Sequence, residues 1–177
     1  MPKICVFCGS SHGRDGVYRE SAAAVGRLIG ERGLGLVYGG GSVGLMGVLA
    51  DAALGSGGEV IGVIPEGLAR AEIAHAGLSE LHVVPGMHAR KAMMASLADA
   101  FLALPGGFGT LDELFEIVTW SQLGLHHKRI ALLNVAGYFD PLLAFLERAV
   151  ADGFVAPSNR RLILSGTQPE ELLRQLL

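Results

Sequence analysis

The chain has 177 residues, of which 50% are hydrophobic and 18% charged, so an ordinary core can form within one domain. Its formal net charge of −3 argues against a nucleic-acid partner, because binding to a phosphate backbone needs a basic surface. The sequence contains no stretch of about 18 uninterrupted apolar residues, so we expect no membrane span. Its first residues lack the pattern of a signal peptide. We therefore expect a single cytoplasmic domain over residues 1–177.

Short apolar runs alternate with longer helical patterns along the chain. The runs predict strands at 4–8, 34–38, 59–64, 81–84, 100–104, 129–134 and 162–165. The patterns between them predict helices near 16–32, 44–56, 87–98, 110–123, 138–151 and 168–176. Because these strands are continuously apolar and helices separate them, we expect an α/β fold, a Rossmann-like doubly wound parallel sheet with helices on both faces. Residues 65–80 lack clear periodicity and predict a surface excursion.

The first predicted strand carries Cys5 and Cys8, a spacing found in redox pairs and zinc sites. An odd separation on a strand points the two side chains to opposite faces, which disfavours a disulfide. A second pair that would complete a zinc site is absent from the sequence. We expect two small buried side chains and no metal.

Three loops that follow predicted strands are rich in glycine and serine, namely "CGSS", "GGGSVG" and "PGGFGT". Ligands of open parallel sheets bind beyond the carboxyl ends of the strands, and bare amides at a helix start attract anions. One such loop can be a tight turn, but two that each lead into a helix favour a ligand with a phosphate group. We therefore expect ligand contacts at Ser10, Gly40, Gly41, Gly106 and Gly107.

The second of these loops also matches a dinucleotide fingerprint, Gly39-x-Gly41-x-x-Gly44. That fingerprint expects an acid about 20 residues later, at the end of the next strand. Glu59 has this spacing but begins its strand, which weakens the case for NAD and leaves phosphate binding intact. A P-loop is excluded because the chain contains no Gly-Lys dipeptide.

The segment from Thr110 to Glu113 has two interpretations. It fits a capping box, and the same pattern from Thr167 to Glu170 lies far from any glycine loop, so on its own capping is the better explanation. The bare backbone beside Glu113 favours a role at a ligand instead. Arg90 has a similar ambiguity, since it suits either an anion clamp or a solvent-facing helix charge.

Taken together, "GGGSVGLMG", "MHARK" and "PGGFGTLDE", in that order and spacing, resemble the LONELY GUY family of cytokinin-activating nucleotide hydrolases over essentially the whole chain. The resemblance implies a Rossmann-like fold, a homodimer, and no redox cofactor or metal. It also implies cleavage of the N-glycosidic bond in adenosine-type 5'-monophosphates, often N6-substituted, to a free base and ribose 5-phosphate.

By position, the resemblance implies that Arg90 and Glu113 are catalytic. It places further substrate contacts on Glu72, Lys91, Gly107, Phe108, Gly109, Thr110, Leu111, Asp112 and Thr119. Breaking an N-glycosidic bond develops positive charge on the ribose, which a carboxylate beneath the sugar can stabilise. A 5'-phosphate held on the "PGGFGT" amides would fix the sugar over that carboxylate.

Two other functions remain compatible with these motifs. A non-catalytic nucleotide-binding module would use the same glycine loops and leave Arg90 and Glu113 as surface and cap residues. A pyridoxal-phosphate lysine decarboxylase would need a Schiff-base lysine. The chain offers only Lys3, Lys91 and Lys128, and only Lys91 lies near the predicted site.

Overall fold

The computed structural model describes residues 1–69 and 73–177. Its strands are β1 (Lys3–Phe7), β2 (Gly35–Tyr38), β3 (Glu59–Pro65), β4 (Glu80–Val84), β5 (Ala100–Ala103), β6 (Ile130–Leu133) and β7 (Ile163–Gly166). Its α-helices are α1 (Gly16–Glu31), α2 (Gly44–Gly55), α3 (Met87–Leu97), α4 (Phe108–Gln122), α5 (Asp140–Ala151), α6 (Pro157–Arg160) and α7 (Pro169–Leu176), with a 3-10 turn at Val135–Gly137.

All the named strands form one parallel sheet in the order β4-β3-β2-β1-β5-β6-β7. The chain first builds outward from β1 to β4, and then returns to place β5 on the other side of β1. Strand order therefore reverses between β1 and β5, and the loops that leave these two strands diverge. In doubly wound sheets a ligand crevice opens at such a point, outside the carboxyl ends of the strands.

Each face of the sheet is covered by its own set of helices. One core contains the inward sides of α1, α2 and α7, and the other contains those of α3, α4 and α5. β1 is followed by a helix on the first face, and β5 by a helix on the second. The two loops touch where they begin, since the Gly9 amide donates to the Pro105 carbonyl at 3.1 Å, and each then leads to a helix on its own face.

Local signals in the sequence set several helix ends. Asp15 caps α1, accepting a hydrogen bond from the Val17 amide at 3.0 Å. Gly33, with φ at +63°, follows the end of that helix and turns the chain toward β2. Proline lies in the first turn of α5, α6 and α7, where its missing N–H costs no helical hydrogen bond.

The predicted strands and helices are confirmed, with ends that agree within two residues. Within the described ranges, the sequence patterns failed to predict two short elements, α6 and the 3-10 turn. Neither is long enough to show a periodic pattern. The predicted excursion is also confirmed where it is described, since residues 66–69 form turns outside the sheet. Across both described ranges, no helix has the length and hydropathy needed to cross a bilayer.

Candidate functional site

A cleft of about 290 Å³ opens at the carboxyl edge of the sheet, beside the point where β1 and β5 are neighbours. The loop after β1, the loop and first turns of α4, and the start of α3 each contribute to its walls. Leu68 and Met46 complete the lining. The members of this wall are Cys8, Gly9, Ser10, Met87, Arg90, Gly107, Phe108, Gly109, Thr110 and Glu113.

Glu113 lies in the second turn of α4 and is only 9% exposed. The capping-box interpretation is wrong because the N-cap of the helix is Gly107, three residues before the Thr110 that the box requires. Thr110 is consequently inside the helix and buried, with its side chain against Gly106. The comparison motif near Thr167 is also not a capping box, since Gln168 is the N-cap of α7 and makes no side-chain cap bond.

Arg90 is 4% exposed, so its interpretation as a solvent-facing charge is wrong. Its Nε donates to the carbonyl of Val63 at 3.1 Å, and its Nη2 donates to the carbonyl of Gly39 at 2.7 Å. Val63 lies near the carboxyl end of β3, and Gly39 directly follows β2. The strand ends therefore hold the guanidinium on the wall of the cleft that also carries Glu113.

The buried cysteines lie on opposite faces of the sheet, as predicted, and both are free thiols. Burial raises the pKa of the Cys8 thiol far above its usual value, and the negative charge of Glu113 raises it further. A thiol in this state is protonated at neutral pH and is a poor nucleophile. In the described ranges, no three histidine, cysteine or carboxylate side chains come together as a metal site.

A second cleft, also about 290 Å³, adjoins the first and shares Gly9, Ser10 and Gly107 with it. Its far wall is aromatic, with Tyr18 and Tyr138 packed edge to face at 5.8 Å. The Tyr138 hydroxyl donates to the carbonyl of Gly106 at 2.6 Å. Sequence reasoning missed Tyr138, although its place after a predicted strand, on the edge where the glycine loops meet, is a signal for it.

The glycines after β2 do not reach either cleft. Gly40 and Gly41 are buried beneath residues 73–75 of the excursion. The Gly40 carbonyl accepts from the His75 amide at 3.0 Å, and Gly41 forms an antiparallel bridge with Ala74. The Gly41 carbonyl also accepts from the Tyr38 hydroxyl at 3.1 Å.

Other predicted contacts lie on α4, or on α3 where it pairs with α4, and do not line the cleft that holds Arg90 and Glu113. Lys91 is buried, and its Nζ lies 3.0 Å from both Asp112 Oδ2 and Glu116 Oε2. Burial alone would lower the pKa of Lys91, but its hydrogen bonds to these two carboxylates outweigh burial and raise the pKa above 10.5. Thr119 bonds back to the Phe115 carbonyl on the outer surface of the helix.

A separate groove on that outer surface contains several of these side chains. Its lining comprises Phe108, Leu111, Asp112, Phe115, Glu116, Thr119 and Trp120. Phe108 is common to this groove and to the cleft that holds Arg90 and Glu113. Glu72, the remaining predicted contact, lies outside the described residues.

Comparison with known proteins gives a consistent family assignment. The sequence family described as "possible lysine decarboxylase" matches residues 46–176. A probable cytokinin riboside 5'-monophosphate phosphoribohydrolase of rice, Oryza sativa subsp. japonica, is 52% identical over 98% of the chain and 71% of the rice protein. A cytokinin riboside 5'-monophosphate phosphoribohydrolase of Arabidopsis thaliana is also 52% identical, over 98% of the chain and 80% of that protein.

Among solved structures, the molybdenum cofactor binding protein of Rippkaea orientalis superimposes with a TM-score of 0.75. The match covers 98% of this chain and 94% of that one, at 23% sequence identity. At this identity the likeness concerns the fold, since one α/β architecture supports many unrelated activities.

Proposed function

This chain belongs to the LONELY GUY family of nucleotide hydrolases, and on that premise we propose that it is a phosphoribohydrolase acting on adenosine-type 5'-monophosphates. Water replaces the base at C1' of the ribose, giving ribose 5-phosphate and a free base. The bond's electron pair leaves with the base, which also gains a proton. The rice and Arabidopsis relatives are named for cytokinin riboside 5'-monophosphates, and we propose that N6-substituted adenosine monophosphates are among the substrates of this chain.

The observation that carries this proposal is that a nearly buried carboxylate, Glu113, and a nearly buried guanidinium, Arg90, line the same cleft at the reversal of strand order. Glu113 supplies the negative charge that stabilises an oxocarbenium-like ribose as the bond breaks. Arg90 supplies a fixed positive charge and N–H donors on the same wall, suited to an anionic substrate and to a departing base. Because two carbonyls hold the guanidinium, it is oriented before substrate arrives.

The start of α4 is the proposed phosphate site. Gly107, its N-cap, has no side chain with which to cap the helix, so first-turn N–H groups are available to a ligand. The helix dipole adds a partial positive charge at the same place. A phosphate there would put the ribose within reach of Glu113, one turn further along the helix.

We also propose that the protein is a cytoplasmic homodimer that uses the outer groove of α4. This surface is unusually apolar for one that faces solvent. Phe108 is 94% exposed, and Leu123 and Leu125, which follow the helix, are 65% and 69% exposed. Large exposed apolar patches mark interaction surfaces. A second subunit would cover these side chains and lie next to the cleft that Phe108 also lines.

Lysine decarboxylation receives little support from the lysine positions. The proposed cleft is at the carboxyl edge of the sheet. Lys3 begins β1 and Lys128 precedes β6, so both lie at the opposite edge. Lys91 is held by two carboxylates away from the cleft wall. A Schiff-base lysine would have to approach its cofactor from that wall.

Incubation of the purified protein with AMP and with N6-isopentenyl-AMP tests the proposal. We expect release of adenine and of the N6-substituted base, together with equimolar ribose 5-phosphate, by chromatography. Tight nucleotide binding by calorimetry without any turnover would instead support a non-catalytic binding module. Circular dichroism and a cooperative melting transition would establish that the tested protein is folded.

A further inference from the structure

We propose that Gly39 is a positioning residue for Arg90, an inference that rests on the catalytic role of Arg90 in the proposed function. The missing side chain at Gly39 leaves the space that the guanidinium occupies. The glycine run after β2 would then act on the reaction through the arginine, without touching the phosphate itself.

The geometry gives Gly39 two functions at once. Its carbonyl accepts the hydrogen bond from Arg90 Nη2 at 2.7 Å. A Cβ added to Gly39 would approach Nη2 more closely than the 3.0 Å below which Cβ contacts are essentially absent from proteins, and would lie 3.1 Å from Cζ. The residue that binds the guanidinium is therefore also the one that must leave room for it.

The backbone at Gly39 gives no other reason for glycine. Its φ lies outside the left-handed region, so an L-residue can adopt the local conformation. The next residue differs, since Gly40 has φ at +76° and a side chain there would be strained whatever the space. Besides the arginine, the nearest obstacle to a Cβ at Gly39 is Met46 Sδ at 3.2 Å, and a thioether can move.

Direct contact between Gly39 and a nucleotide is not what the structure favours. Gly39 is buried and lines neither of the two clefts at the carboxyl edge of the sheet. Its influence on the reaction must pass through Arg90, whose Nε also donates a hydrogen bond to the Val63 carbonyl. A methyl group at Gly39 would push the guanidinium outward, and both hydrogen bonds cannot survive that movement unchanged.

The substitution Gly39→Ala is thus expected to reduce kcat by about 10²-fold, the size of effect that a displacement of roughly 1 Å produces in a catalytic group. Gly55→Ala is the matched control. Gly55 ends α2, has no positive φ, and an added Cβ there would have no neighbour within 4 Å. The Gly55→Ala protein should keep the wild-type kcat.

A double-mutant cycle with Arg90→Ala gives a second measurement that does not depend on turnover. Gly39→Ala should lower the melting temperature of the wild-type protein, because methyl and guanidinium compete for one space. In the Arg90→Ala background the same substitution should have little effect, because the space is then vacant. A non-additive cycle of this kind reports coupling between the two positions, as expected for residues in contact.

The outcomes separate this inference from the proposed function. Base release by wild-type protein with near-normal kcat for Gly39→Ala would overturn the inference alone, as would an equal loss of melting temperature in both backgrounds. Failure of the wild-type protein to release base would overturn the proposed function, while the melting cycle would still decide whether Gly39 accommodates Arg90. An unfolded Gly39→Ala protein beside a folded double variant would support the same clash.

Discussion

The loop at 39–41 and the loop at 106–109 share a glycine-rich signature at the same edge of the sheet, but they differ in what occupies them. The first is buried, and its carbonyls accept hydrogen bonds from Tyr38, His75 and Arg90. In the second, residues 107–109 are exposed and form part of the cleft wall. Backbone without side chains therefore serves two purposes here, close packing within the protein at residues 39–41 and at Gly106, and access for a ligand at residues 107–109.

The contrast matters for function because a glycine pattern alone does not distinguish these purposes. An added Cβ would meet no neighbour within 4 Å at Gly107 or Gly109, whereas at Gly39 it would meet Arg90. Ligand binding requires the open kind of loop. The four predictions that follow test the contrast, beginning with the largest expected effect.

Glu113→Gln should reduce kcat by roughly 10²–10⁴-fold, the range associated with loss of a charged catalytic group. The amide has nearly the same shape, so the melting temperature should change little. Release of base from AMP measures the first effect and thermal unfolding the second. Glu170→Gln is the control, since Glu170 has the same sequence context but lies on α7. Near-normal turnover by Glu113→Gln would remove Glu113 from the mechanism.

Adenosine should be a far poorer substrate than AMP if the open loop binds phosphate. Each hydrogen bond to a charged group contributes about 1.5–3 kcal/mol, so the loss of two contacts predicts a drop in kcat/KM on the order of 10²-fold or more. Steady-state kinetics with the two substrates measures the ratio. Comparable kcat/KM values would mean that the first turn of α4 does not bind the 5'-phosphate.

Lys91→Met should destabilise the protein by about 1–3 kcal/mol, because it leaves Asp112 and Glu116 without their cationic partner. The folded-state pKa of Lys91 is raised, so its contribution is complete below about 10.5 and is lost as pH rises through the folded value. Urea unfolding of both proteins at neutral and alkaline pH measures this difference. Lys91→Arg, which keeps the charge, should retain most of the stability.

A different result for Lys91→Met would revise the position assigned to this side chain. If its melting temperature were unchanged while KM for AMP rose sharply, Lys91 would be contacting substrate instead of linking α3 to α4.

The smallest expected effect concerns the Cys8 thiol, which should be alkylated only slowly in the native protein. Because burial and the charge of Glu113 both raise its pKa, little thiolate exists at pH 8. Mass spectrometry after iodoacetamide treatment should find Cys8 modified slowly in buffer and rapidly in urea. Rapid modification in buffer would show a reactive thiol on the cleft wall.

The fold was predictable because apolar runs and helical periods recur along the whole chain, and their ends agree with the structure within two residues. The site was predictable in part. Parallel strands bring the loops after β1 and β5 to one edge, so Ser10 and Gly107 could be placed there from sequence. The family resemblance supplied the roles of Arg90 and Glu113.

The remaining features depend on packing that a linear pattern does not contain. The sequence left capping as an explanation for Glu113 because a shift of three residues in the position of the N-cap decides it. The burial of Gly40 depends on residues some thirty positions later, which fold over it. The support of Arg90 depends on one carbonyl of β3 and one just after β2, which come together only in the assembled sheet.

A crystal structure of the Glu113→Gln variant with AMP would test the central claim most directly. We predict that the phosphate accepts hydrogen bonds from first-turn amides of α4 and that C1' of the ribose faces residue 113. A phosphate bound instead at the loop after β2, or a ribose turned away from residue 113, would contradict the account.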